Sequence, residues 1–214
     1  MAISYIGESH DAVDDNASDD TVYPAVVGST DDLLVMFVVT GGGRTVTTPS
    51  GWTLRASIMT ALSIGLYCFT KVHGGEAGTY TVASGTYSAM NACVLAYRDA
   101  EYDTVNTPGE GNDTTVEEGD LSVSDDSSFA VWGLGNIAAS SSHGTLNERV
   151  DDASEDGYHI AVYDEAVDSG TATGPVITLS SYERWASIGI GLKPAAGAPT
   201  FGGRNMILGG GISV

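Results

Sequence analysis

Lysine is nearly missing from this chain. Lys71 and Lys193 are the only two, and the basic residues number 8 against 28 acids, for a formal net charge of −20. A surface of that sign repels nucleic acid and anionic membranes, so neither is an expected partner. Cysteine is scarce as well: Cys68 and Cys93 are the whole set, and both lie in apolar, strand-like runs. They read as free buried thiols, because two sulfurs with no histidine at ligand spacing do not complete a zinc site. No apolar run approaches the roughly 20 residues of a membrane span, so no membrane insertion is expected. The N-terminal MAISYIGESHD has neither a basic flank nor an apolar core, so no signal peptide is expected. A sustained helical period is missing too.

What fills the chain instead is strand after strand. TVYPAVV, LLVMFVV, GWTLRAS, IGLYCFTKV, GTYTVAS and NACVLAYR are rich in β-branched and aromatic residues. Between them stand GGG at 41–43, TPSG at 48–51 and HGGEAG at 73–78, which is turn chemistry. A chain of this length removes roughly 70% of its unfolded surface from water and needs no disulfide staples.

The second half repeats the order of the first. DDLLVMFVV at Asp31 is echoed by DDSSFAVWGL at Asp125, 125 − 31 = 94 residues on. SGWTLRAS is echoed by HGTLNERV, and IGLYCFTKV at Ile64 by YHIAVYDEAV at Tyr158, again 158 − 64 = 94. GTATGPVITLSS then answers AGTYTVASGTYS, and WASIGIGLK at Trp185 answers MNACVLAYR at Met90, 185 − 90 = 95. Two sheets with one greasy face each are satisfied by packing together. The expected fold is therefore all-β, a jelly-roll β-sandwich built of two similar halves. It would form one domain over 1–194, with halves of about 1–100 and 120–194 and a surface crossover at 101–119. A Gly-rich tail at 195–214 would extend from it as an arm, with Phe201, Met206, Ile207, Leu208, Ile212 and Val214 docking on a neighbouring copy.

Candidate sites are few. Aspartate pairs recur, and the loop carboxylates Asp14, Asp15, Asp19 and Asp20 are the candidates for holding Ca²⁺ or Mg²⁺. None has the spacing of a calcium loop, so solvated surface charge is the preferred reading and no resident cofactor is expected. His10, His73, His143 and His159 are scattered, HGGE at His73 has no nucleophile beside it, and the serine-elbow pattern is absent. The chain is not expected to be an enzyme. Trp52, after the turn PSGW, is the candidate ring for stacking on host surface glycans; Trp132 and Trp185 sit in apolar strands and read as core. Asn16 and Asn112 open glycosylation triplets that matter only if the chain meets the glycosylating machinery.

SGWTL followed by GLYCFTKV, GTYTV and ACVLAYR, with the echo ending WASIGIGLKP, resembles the jelly-roll virion proteins of tailed phages and tailed archaeal viruses. The resemblance covers about Thr21–Pro194. It implies a non-enzymatic role on the virion, as capsid decoration, vertex turret or tail component, with itself and other virion proteins as partners. It carries no catalytic residues. The acidic, Lys-poor composition points within that family to a haloarchaeal host. In molar salt the Debye length falls to about 3 Å and most of the self-repulsion of a −20 surface is screened. Thermal melting is therefore expected to rise markedly from low to molar KCl; a flat response contradicts the halophilic reading.

Overall fold

The computed structural model describes residues 2–13, 21–25, 27–61, 64–84, 89–136, 140–142, 144–153 and 158–196. Among them are sixteen strands and no helix. The first half supplies β1 (Ser4–Val13), β2 (Thr21–Val22), β3 (Leu33–Thr40), β4 (Thr53–Met59), β5 (Gly65–Val72), β6 (Val82–Ala83) and β7 (Met90–Arg98). Then come β8 (Ala100–Val105), β9 (Gly109–Glu117), β10 (Leu121–Val123), β11 (Ser128–Asn136) and β12 (Ser140–Ser142). The last four are β13 (Asn147–Ala153), β14 (His159–Val167), β15 (Gly170–Ala172) and β16 (Val176–Pro194).

All pairings are antiparallel, in two principal sheets. One runs β1-β7-β3-β5-β4, the other β12-β16-β11-β14-β13 with β8 and β9 also on β16. The architecture is an all-β sandwich. Each principal sheet is drawn from one continuous stretch, and the chain changes sheet between β7 and β8. Asp99 makes that corner in a left-handed conformation, φ 57°, and its carbonyl accepts the Ala195 amide at 2.8 Å.

Side-chain alternation decides what meets what. On β3 the odd residues Leu33, Val35, Phe37 and Val39 face the second sheet, where Val131, Val162, Ile188 and Ile190 join them in one shared core. The even residues Leu34, Met36 and Val38 face outward, yet they are buried too. A small ribbon, β2 paired with β6, covers them together with Val46, Trp52 and Tyr80. The second sheet is covered likewise: β10 and β15 bring Leu121 and Ala172 onto Ala130 and Trp132. Both faces of each sheet's central strands are thus removed from water. That is why LLVMFVV reads as an unbroken apolar run in an antiparallel strand, where one wetted face would have produced alternation.

The sheets are in close contact at Phe37. Its ring lies against the backbone of Gly133, where any Cβ would overlap it, and Gly135 admits Val39 in the same way. Phe37 stands between Cys68 and Cys93 in the sheet registers, and both cysteines are free and buried.

The expected crossover at 101–119 carries two strands: all of β8 but its first residue and the whole of β9 lie within it, and both pair with β16. The first strand runs unbroken from Ser4 to Val13.

Emptying the Phe37–Gly133 contact from one side or filling it from the other disturbs the same core. Phe37→Ala is expected to cost about 3–5 kcal/mol and Gly133→Ala about 1–3 kcal/mol in chemical denaturation. Combining Phe37→Leu with Gly133→Ala should cost less than the sum of the two single changes, and strict additivity would show that the residues do not pack together.

Candidate functional site

Trp52 does not offer a stacking platform. It is 6% exposed, lies edge-on to Tyr80 at 5.1 Å, and belongs to the cluster on the outer face of the first sheet. The PSGW turn folds back through a hydrogen bond from the Trp52 amide to the Pro49 carbonyl at 3.1 Å, which carries the indole inward. Trp132 and Trp185 are buried as well. Asp14, Asp15, Asp19 and Asp20, and the arm residues Phe201, Met206, Ile207, Leu208, Ile212 and Val214, lie outside the described residues.

The described aspartate pairs serve the protein's own backbone and side chains. Asp31 takes a left-handed turn (φ 72°), while buried Asp32 accepts the Ser29 amide at 2.8 Å and pairs with Arg98 at 3.0 Å. Asp126 accepts the backbone amide and the hydroxyl of Ser169. Asp151 pairs with His159 at 2.5 Å, and Asp152 accepts the Asn91 amide group at 2.9 Å. Among the described residues no group of three or more His, Cys, Asp or Glu is arranged to hold a metal ion. HGGE is a structural loop: Glu76 pairs with Lys71 at 2.5 Å and accepts the Gly74 amide at 2.8 Å and the Tyr80 hydroxyl at 3.1 Å. Lys71 is the main reason the Glu76 carboxyl is held down to about 2.

A more unusual arrangement sits at the two seams where sheet edges meet. In β4 the pairing with β5 slips between Leu54 and Ala56, so Arg55 is the bulge residue. In β13 it slips between Glu148 and Val150, so Arg149 is the bulge residue. Each guanidinium leaves its own sheet and lies over a tyrosine of the opposite sheet, Arg55 over Tyr102 at 3.9 Å and Arg149 over Tyr5 at 4.0 Å. Such contacts join a cation to the ring quadrupole.

The two seams differ in what lies behind the arginine. Arg149 Nε donates to Asp164 Oδ2 at 2.8 Å, and that buried carboxylate also accepts the Tyr97 hydroxyl at 2.9 Å and the Asn147 amide group at 3.2 Å. Burial and the adjacent Asp164 together push the Tyr97 hydroxyl well above its ordinary pKa. Arg55 Nε instead donates to the hydroxyl of Thr70 at 2.6 Å. Beside it opens a groove of about 310 Å³, with Leu33, Val72 and Tyr102 as apolar lining and Arg55, Lys71 and Glu101 as its charged groups. Sequence reasoning missed this site because Arg55 and Tyr102 lie far apart in the chain. The signal that could have found it is the pair Arg55 and Arg149, 149 − 55 = 94 residues apart, the spacing at which the second half echoes the first.

One buried acid stands apart. Both carboxyl oxygens of Glu118 are buried without a hydrogen-bond partner, and the indole nitrogen of Trp132 and the Ser187 hydroxyl on the same outer face are also unpartnered. Burial raises the Glu118 pKa to about 8.

Compared with known proteins, the chain matches no family model, no curated protein and no solved structure.

The folded state holds the Glu118 proton more tightly than the unfolded chain does. Its contribution is therefore full below about 4.5, declines as pH rises, and is lost once pH passes about 8. Glu118→Gln keeps the shape of the protonated acid. It should be more stable than the parent at pH 9 by a few kcal/mol and flatten the stability profile between pH 5 and 8. An unchanged profile would show that the acid is not buried in solution.

Proposed function

We propose that this chain is a non-enzymatic structural module of a virion, a capsid-decoration, turret or tail-associated part that assembles with copies of itself in high salt. The observation that carries the reading is a sheet-edge strand with exposed apolar side chains on and beside it. β4 ends its sheet, and Leu54 and Met59 on it, with Val72 on the adjacent β5, are 43%, 40% and 61% exposed in a molecule of net charge −20. A free, greasy edge is a liability for a protein that stays alone and an asset for one that pairs laterally with its own kind. Acids elsewhere on the surface keep such an assembly soluble in brine, and the resemblance to tailed-virus proteins supplies the setting. Glycan binding, the alternative role, loses its candidate ring with Trp52.

We also infer that the two principal sheets are two versions of one unit. β7-β3-β5-β4 and β16-β11-β14-β13 run in the same order, and each has a covering ribbon, β2–β6 or β10–β15. The bulge arginines fall at matching points, and Asp31 and Ser127, each two residues before matching inward side chains (Leu33 and Phe129), both have positive φ. Jelly-roll winding is the weaker part of the expectation, because a jelly roll threads its strands repeatedly between sheets and this chain changes sheet once.

Light scattering on purified protein in molar salt is expected to give a defined oligomer. Leu54→Asp should weaken its association by roughly tenfold or more, the worth of one buried leucine. A monomer at all concentrations, unaltered by the substitution, would contradict the assembly reading.

A further inference from the structure

The same clasp is built twice, and only once is it neutralised from within. At the β13 seam the bulge arginine Arg149 rests on Tyr5 and is paired with the buried carboxylate of Asp164. Asp164 stands directly across from Asn147 in the β13–β14 register, and Thr70 stands directly across from Thr53 in the β4–β5 register. Both lie 15 residues after their arginine. Thr70 thus occupies the place of the acid, and its hydroxyl leaves the charge of Arg55 uncompensated. Beyond the bond to Thr70 and the stack on Tyr102, the Arg55 guanidinium has no partner among the described residues.

We propose that the groove at the β4–β8 seam is a carboxylate-binding site, where Arg55 receives from outside the carboxylate that Asp164 provides at the other seam. The geometry suits that ligand. Tyr102 packs against the guanidinium with its ring centre 3.9 Å from Cζ, and Thr70 fixes Nε, so the terminal nitrogens of this planar group are left as a fork that matches two carboxylate oxygens. Lys71 lines the same groove. Its ammonium is shared with Glu76, so it adds a second but partly neutralised positive group. Glu101 faces the groove as well; its carboxylate lies 3.9 Å from Lys193, which offsets part of its repulsion. The apolar lining from Leu33 and Val72 favours a carboxylate on a short hydrocarbon stem, such as acetate, succinate or an acidic side chain of another copy. This inference stands on the seam geometry and not on the virion reading.

The test titrates sodium acetate against sodium chloride at equal ionic strength and pH 7, following the Arg55 Nε–H resonance and the Tyr102 ring by NMR. Acetate should produce a saturable shift that chloride does not. Thr70→Asp supplies the internal carboxylate and should abolish the acetate response while leaving the fold intact. Should that variant fail to fold, Arg55→Gln must lose the response with its melting transition retained. Sedimentation in the same samples separates the sources. An oligomer that acetate dissociates draws its carboxylate from a neighbouring copy, whereas saturable binding with no change of mass assigns a free small carboxylate. Equal effects of acetate and chloride on the parent protein, or a Thr70→Asp protein that still responds like the parent, would overturn the proposal.

Discussion

The structure depends on one act of burial, the closing of two sheets over a shared apolar interior. Neither sheet can dispose of its inner face by itself. Leu33, Val35, Phe37 and Val39 on one side need Val131, Val162, Ile188 and Ile190 on the other. Fully burying a side chain of this kind is worth about 1.5–3 kcal/mol, so the facing layers supply the dominant favourable term against the entropy of ordering the chain. Gly133 sets the spacing, because the missing Cβ lets the Phe37 ring reach the opposing backbone.

From that closure the remaining features follow in sequence. Once the inner faces are joined, the outer faces remain greasy, and each receives a two-stranded ribbon and folded-back loops. Once the sheets are stacked, their edges form two seams, and each seam is held by a bulge arginine reaching across to a tyrosine of the other half. Bulges matter here because they turn one residue out of the ladder without ending the strand. The function proposed for the protein lies at these margins: a free β4 edge suited to lateral pairing, and a seam groove whose arginine lacks its acid.

Strand identity and order were legible in the sequence, because β-branched and aromatic runs separated by glycine turns leave little choice of secondary structure. The reading weakened where local composition and tertiary pairing disagree. GEGNDTTVE has poor strand propensity and falls in the expected surface crossover, yet it forms β9 because β16 offers it a ladder. Trp52 follows a turn, and a turn predicts exposure, but its loop folds onto the sheet. Comparing DDLLVMFVV with DDSSFAVWGL by their acids gives a spacing of 94 residues. In the sheets, Val35 faces Thr70 while Val131 faces Asp164, a spacing of 131 − 35 = 96. The spacing by acids thus falls two residues short of the spacing by paired strands, and the positive-φ residues Asp31 and Ser127 follow the strands, 127 − 31 = 96. The seam site was the least legible, since an arginine and a tyrosine from different halves meet through topology that no local pattern encodes.

Native-state hydrogen exchange, resolved residue by residue, tests the central claim most directly. If the two sheets exist only by burying each other, the central amides of β3 and β11 must open together, with the same free energy as global unfolding. Exchange of one sheet's centre at a much lower free energy, while the other stays protected, would mean that the sheets are separate units placed side by side.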